Sequence, residues 1–362
     1  MDAAQFDAVS RSVNVRLTRR RVGLMAGATA LGAAALAAWG GAPEAAAKKR
    51  RAKAEHNLRG NKAIMCVNGV TTRVPKKKRK KYLKQGATRG ECANTCTPSC
   101  PTGACNVSDG CGGTCGCASG SVCASGTCRA CNVLCQSGDT PAVCGEALQT
   151  AMAAGGDVYV CPGRYLGGFV LGAQVSVYGA GNGDNPAVDA ILDGQNVLGT
   201  TVVTMAGEGT FELFNLRITG GANSGVRLSN SAVTGNITDC VITGNTAEAG
   251  AGIALSSGAL HLVGSTISTN TASGGGAGML ATSSGSSTIT TTIFTGNISA
   301  ADGGGILQYN GTLTLDSTVS ITGNQAGAVA SGGGVLVGGG TFNRGGATIS
   351  GNTPDNCVGT GC

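Results

Sequence analysis

The sequence predicts an all-β chain: a right-handed parallel β-helix solenoid of about 8–9 coils, preceded by a small disulfide-rich segment and a basic N-terminal module. Three observations predict it. Of 362 residues 63 are Gly, only 12% are charged and 3% aromatic, proportions foreign to an ordinary helical or mixed domain. A repeat runs through the C-terminal half: Ile218-Thr-Gly-Gly, Ile242-Thr-Gly-Asn, Ile267-Ser-Thr-Asn, Phe294-Thr-Gly-Asn, Ile321-Thr-Gly-Asn and Ile349-Ser-Gly-Asn start 24, 25, 27, 27 and 28 residues apart. A steady period near 25 residues is the signature of a solenoid. Each repeat also holds short runs of Thr, Val, Ile and Leu, such as Thr312-Leu-Thr-Leu315, and none holds an amphipathic segment of helix length, so the coil is strand and turn.

The chain opens on residues 1–47, which read as a signal peptide. Basic Arg16–Arg21 leads into the apolar or small stretch Val22 to Trp39 and then Ala45-Ala-Ala47, a small-x-small site that predicts cleavage after Ala47. Thr18-Arg-Arg-Arg-Val-Gly-Leu24 resembles a twin-arginine export signal, with Val and Gly where Phe and Leu are usual; the general secretory route stays open beside it. Export agrees with seventeen cysteines, thirteen of them between Cys92 and Cys161, a density that calls for an oxidising compartment. No transmembrane segment is expected after cleavage.

Residues 48–91 form the basic module. Of the 26 Lys and Arg, 21 precede Glu91, leaving the first 90 residues at about +17 and Gly145–Cys362 at about −8. Met65 to Val74 contains an Asn68-Gly69 turn between two β-prone pieces. With Leu83 to Gly86 and Gly90-Glu-Cys92, it resembles a small module of exported bacterial proteins, a resemblance that implies a Cys66–Cys92 bridge. Lys76 to Lys81 reads as a solvated face or flexible arm, with adhesion to an anionic envelope polymer as its functional alternative; no specific nucleic acid is expected behind a signal peptide.

In residues 92–143 cysteine recurs as Cys92, Cys96, Cys100, Cys105, Cys111, Cys115, Cys117, Cys123, Cys128, Cys131 and Cys135, among Gly, Ser, Thr and Ala that bury little area. Cross-links must replace a core there. Zinc is disfavoured, because the one Cys-x-x-Cys pair is Cys128–Cys131 and the nearest histidines, His56 and His261, are remote. The stretch from Gly110 to Cys128 resembles Cys-rich linkers of exported bacterial proteins.

Residues 144–362 are the β-helix. Gly145 to Ala154 carries Ala147, Leu148, Ala151 and Met152 at helical spacing and ends on Gly155-Gly156; brief β runs follow at Asp157–Tyr165, Phe169–Leu171 and Val175–Tyr178. Together these resemble the opening of pectin-lyase-like right-handed β-helices. The resemblance implies that the helix caps the first coil and that Cys161 pairs with Cys135 or Cys144. Asn245, Asn270, Asn297, Asn324 and Asn352 recur once per coil and would stack about 4.8 Å apart as an amide ladder. Gly-rich blocks at Gly250, Gly276, Gly303 and Gly332 shadow them. Cys357 and Cys362 would pin the last coil, and Cys240, the odd cysteine, belongs to the core.

For chemistry, the fold hosts carbohydrate enzymes, so function has to be sought in residues. Catalytic carboxylates or a calcium site with an Arg base would have to come from Asp184, Asp189 and Asp193, approached by Asp239, with Arg164, Arg217, Arg227 and Arg344 the cations available; ordinary turn roles compete with that reading. Aromatic residues look scattered and offer no sugar platform, and His261 reads as a surface strand residue. The expectation is an exported, extracellular or cell-surface, monomeric protein without a cofactor, resembling bacterial adhesins in a structural or adhesive role, its partner a cell-wall or extracellular polysaccharide. The alternatives are a polysaccharide lyase or glycoside hydrolase, calcium entering only with the lyase, and an electrostatic binder acting through Lys76 to Lys81.

Overall fold

The structure, a computed structural model, describes residues 62–67, 70–89, 99–108, 115–118, 120–135, 138–172 and 174–362. The expected signal peptide lies outside the described residues, as do Cys92, Cys96 and Cys111, and with Cys92 the expected Cys66–Cys92 pairing. The chain divides into two compact units, of which one contains residues 62–89 and the other Cys100–Cys362.

In the first, Lys62–Val67 and Val70–Pro75 pair antiparallel with Val67 opposite Val70, the register that a two-residue Asn-Gly loop sets. Thr88–Arg89 adds a third strand, and Met65, Val74 and Ala87 form a small core. The basic run is no flexible arm: Lys76–Lys78 is a 3-10 turn and Arg79–Lys84 a helical turn and a half. Tyr82 and Leu83 of that helix pack on the core while Lys76, Lys77, Lys78, Lys80 and Lys81 stay exposed.

The second unit is a parallel β-solenoid of eight coils. Each coil contributes one strand to each of three sheets. Sheet A runs from Gly156–Val160 to Thr341–Asn343, sheet B from Gly163–Leu166 to Thr348–Ser350, and sheet C from Phe169–Leu171 to Cys357–Gly359. The eleven-residue strand Gly209–Thr219 serves both A and B. The repeat predicted from sequence is the inward row of sheet B: Tyr165, Leu192, Ile218, Ile242, Ile267, Phe294, Ile321 and Ile349 sit in register, one above the next, all but Ile349 fully buried. Stacking like on like lets every coil add apolar burial at its neighbour's face.

The asparagine ladder forms where it was expected, at the turn between sheets B and C. Asn245, Asn270, Asn297 and Asn324 each donate Nδ2–H to the Oδ1 of the next asparagine at 2.8–3.0 Å. The second amide proton of Asn270, Asn297 and Asn324 goes to the carbonyl of Ile242, Ile267 or Phe294 one coil back. The ladder has a further rung that the repeat conceals: Asn352 donates to Asn356 Oδ1 at 3.3 Å.

The Gly-rich blocks close the same turn from both sides. Gly303, at φ +65°, lies over the outward face of sheet C, where an added Cβ would come within 2.6 Å of Leu307 Cβ; Gly305 faces inward, and its Cβ would meet the Gly334 carbonyl at 2.4 Å and Asn324 Nδ2 at 3.3 Å. The Gly-x-Gly pattern therefore records two separate close approaches. Under the blocks, Ala254, Leu280 and Leu307 point outward from sheet C yet are buried, a second apolar layer outside the solenoid core.

Both ends are closed. The helix starts at Pro141, four residues before its apolar spacing suggested, because Thr140 caps it, accepting Val143 N–H, and Pro141 fits its first turn. It buries Cys144, Gly145, Leu148 and Met152, leaving Ala147 exposed. Cys161 pairs with neither expected partner: the bridges are Cys131–Cys161 and Cys135–Cys144. Cys135 and Cys144 instead join the loop before the helix to its first turn. Cys100–Cys115, Cys105–Cys123 and Cys117–Cys128 knot the preceding segment, and Cys357–Cys362 pins the last coil as expected. Cys240 is buried, and burial pushes its thiol up to about 12.

Candidate functional site

The acids singled out in sequence lie in and beside the loop between Val175–Gly181 and Ala190–Asp193. Asp184 is exposed at its tip. Asp189 turns its carboxylate back into the loop, Oδ2 accepting Asn185 N–H at 3.0 Å. Asp193 forms an ion pair with Arg164 of the preceding coil and accepts Gln195 N–H at 2.7 Å. Arg217 stands on the far side of Ile191 from Arg164. The expected approach of Asp239 occurs through the backbone: Asn182 Nδ2–H donates to the Asp239 carbonyl at 2.6 Å, and burial raises the Asp239 carboxyl. Asp189 and Asp193 thus brace turns. Among the described residues the one set of three ligand-type atoms drawn within 4.8 Å of one another belongs to Cys105, Cys117 and Cys128, whose sulfurs are already committed to disulfides.

The outward face of sheet A gathers a different group. Tyr159, Tyr178 and Phe214 occupy one position on three successive coils. The two tyrosine rings stack at 5.5 Å and 27°, and Phe214 follows at 6.1 Å and 50°, separations at which aromatic pairs attract. Each tyrosine donates its hydroxyl to a carboxylate two residues away in its own column or one coil on, Tyr159 to Asp157 at 3.0 Å and Tyr178 to Glu212 at 3.2 Å. Burial first, and the neighbouring acid after it, raises both phenols, keeping them neutral donors.

Over this aromatic row lies the hairpin Ser121–Ala130 of the disulfide-knotted segment, with Val122 and Ala124 buried against Tyr178. Where the hairpin ends a cleft of about 350 Å³ opens, lined by Ser125, Tyr178, Glu212, Phe214, Asn236 and His261 among others. Glu212 stands in a polar column on successive coils, Asp157, Ser176, Glu212, Asn236, His261, Thr288, Thr314 and Asn343, its members about 4.8 Å apart. His261 has a partner after all, Thr288 Oγ1 at 2.7 Å from its Nδ1. The cleft thus joins an aromatic wall, one carboxylate, one imidazole and a run of amides and hydroxyls. Groups of these kinds are able to stack on a ring and hydrogen-bond hydroxyls.

Sequence reading missed this face because its aromatic residues lie 19 and 36 residues apart, off the repeat period. The loop 182–189, inserted between the Tyr178 and Phe214 coils, hides the register.

Among known proteins, residues 201–362 match the family described as right handed beta helix region. Neither the curated proteins nor the solved structures give a match.

Proposed function

For a chain whose residues 201–362 are a right-handed β-helix region, we propose the role of an exported, non-catalytic glycan-binding scaffold acting in adhesion or surface structure. The observation that carries this reading is the sheet A face, where Phe214, at the edge of the hairpin-covered aromatic row, borders a polar column that continues along the solenoid. An extended polysaccharide laid across the coils would meet a hydroxyl, amide or imidazole at each step. The six bridges among the described residues call for an oxidising environment, and no helix among those residues is long and apolar enough to cross a membrane. The bridges agree with export. The engagement of Asp189 and Asp193 in turn hydrogen bonds and an ion pair weighs against a lyase or hydrolase built on them.

The test is a screen of the oxidised protein against neutral and acidic polysaccharides, with and without calcium, scoring binding and chain cleavage together. Binding without cleavage, weakened at least tenfold in Phe214→Ala, supports the proposal; binding to none of them overturns it. A second reading, hydrolysis or elimination, rests on Glu212 and His261 sharing one cleft; cleavage abolished in Glu212→Gln would establish it. The exposed lysines from Lys76 to Lys81 support electrostatic adhesion to an anionic envelope polymer as a separate contribution, one that added salt would weaken steeply.

A further inference from the structure

We infer that the helical turn of the basic unit is a docking surface for a linear phosphodiester polymer without bases, held by one stripe of lysines. This rests on the reading of Lys76 to Lys81 as a surface for electrostatic adhesion, and it names the chemistry of the polymer. Residues 62–89 contain ten Lys and Arg and no Asp or Glu, so nothing within this stretch balances the charge. Nor are the cations evenly spread. Lys76–Lys78 winds directly into Arg79–Lys84, and Lys77, Lys80, Lys81 and Lys84 stand at i, i+3, i+4 and i+7, one face of that winding. All four are exposed. The opposite face belongs to Tyr82 and Leu83, packed on the small core, and to Arg79, half-buried.

This helix breaks the rules that ordinarily stabilise a short one. Like charges three and four residues apart repel, and each lysine of the stripe has two such neighbours within it. Lys78, Arg79 and Lys80 crowd the start of the helix, where the aligned peptide dipoles disfavour cations, and no side chain caps that end. Six residues are too few to stay helical on propensity, so the packing of Tyr82 and Leu83 has to offset the repulsion. An element whose local choices disagree this consistently points to a partner that it serves. A polyanion laid along the stripe replaces each repulsion with a shared attraction and releases the small ions gathered on both surfaces.

The residue types narrow the partner. A planar, two-pronged carboxylate is matched best by the fork of Arg, whereas a phosphodiester offers its oxygens to the point charge of Lys from many directions. The stripe is all Lys, and the one Arg of the helix is turned toward the core. Bases need an aromatic face on which to stack. The one aromatic residue of this stretch, Tyr82, is packed on the core. From Lys77 to Lys84 the stripe runs about 10 Å along a single axis, a footprint that suits a chain lying lengthwise.

The test is titration of the oxidised full chain with synthetic poly(glycerol phosphate), an oligothymidylate of equal phosphate count and polyglutamate of equal charge, each over a series of salt concentrations. We expect poly(glycerol phosphate) to bind with log affinity falling against log salt at a slope of about −3, the value for four phosphates neutralised on a flexible chain. The oligothymidylate should bind no more tightly and polyglutamate at least threefold more weakly. Lys77→Gln, Lys80→Gln, Lys81→Gln and Lys84→Gln together should cut affinity at least tenfold and more than halve the slope, without lowering the thermal midpoint. Arg73→Gln, Lys76→Gln, Lys78→Gln and Arg89→Gln remove the same charge off the stripe and should cost less than threefold. Arg at the four stripe positions keeps the charge, and should bring polyglutamate level with poly(glycerol phosphate). Equal losses in the two Gln variants would overturn the site yet leave adhesion to an anionic polymer standing. Polyglutamate bound by the natural chain as tightly as poly(glycerol phosphate) would overturn the assignment to phosphate, and oligothymidylate bound tenfold more tightly would overturn the base-free polymer. Binding of none of the three would overturn both the inference and the electrostatic reading beneath it.

Discussion

The disulfide-knotted segment and the solenoid solve the same problem by opposite means. Between Cys100 and Cys131 the chain is Gly, Ser, Thr and Ala around a few cysteines, and Val122 and Ala124 spend their burial on the neighbouring Tyr178 face. Three bridges hold that segment together internally. The solenoid has Cys240 buried and unpaired, bridges only at its ends, Cys131–Cys161 and Cys135–Cys144 at the first coil and its cap and Cys357–Cys362 at the last, and between them rows of like contacts repeated coil by coil. One region depends on a few covalent links that limit its unfolded state; the other depends on many weak contacts that add nearest neighbour to nearest neighbour. The first must therefore fail all at once and the second locally.

Reduction gives the largest separation between them. A thiol or phosphine reductant should open residues 100–131 to protease while the strands from Gly156 onward keep their protection and their β circular dichroism signal. Digestion of both regions at the same rate would break the comparison. Next in size is the ladder. Asn297→Ala removes an amide that donates to Asn324 and Ile267 and accepts from Asn270, all buried, and should cost about 3–5 kcal/mol in denaturant unfolding. Asn352→Ala, near the end of the stack and slightly exposed, should cost about half that. A smaller effect is expected of Gly303→Ala, about 2–3 kcal/mol from its contact with Leu307 and its positive φ. Leu307→Ala should not recover the clash term, because an added Cβ meets Leu307 Cβ and Cα and the Ile306 carbonyl, all of which alanine retains, as Gly250 already meets Ala254 Cβ at 2.9 Å in an earlier coil.

The contrast also governs what could be read before folding. A row such as Ile242, Ile267, Phe294 and Ile321 is legible because stacking requires the same residue type at each coil, so the contact is written as a period. Asn356 escaped because it stands four residues beyond Asn352, outside the Ile-x-Gly-Asn frame, and still takes the last hydrogen bond. The aromatic wall escaped because the loop 182–189 breaks the period between Tyr178 and Phe214. The closeness of Asp189 and Asp193 in sequence leaves a catalytic role and an ordinary turn role both open; their carboxylates take the backbone N–H groups of Asn185 and Gln195, as aspartates in turns do. Bridges such as Cys131–Cys161 were not legible, since small residues between cysteines permit many pairings and the choice among them is made by how the cap docks on the first coil.

The smallest effect tests whether the solenoid is uniform at single-residue scale. Four of the ladder turns place Gly before the asparagine, and Gly244, Gly296, Gly323 and Gly351 all have φ between 64° and 66°. In the second coil of that series the residue is Thr269, held at φ +50°. A β-branched residue in the left-handed region carries about 1–2 kcal/mol of strain. Thr269 offsets part of it through a hydroxyl contact with Thr243 at 2.6 Å, a partly exposed bond of about 1 kcal/mol. Thr269→Gly relieves the first and forfeits the second, and the freer unfolded chain takes back a little more. The net should be a gain of no more than about 1 kcal/mol, read as a small rise in the denaturant midpoint at constant slope. The double variant Thr243→Val with Thr269→Gly should exceed the Thr243→Val parent by more than Thr269→Gly exceeds the natural chain, because the hydroxyl contact is then already gone. A loss in both backgrounds would mean that Thr269 is held by something other than this bond, and that the coils are less interchangeable than their register implies.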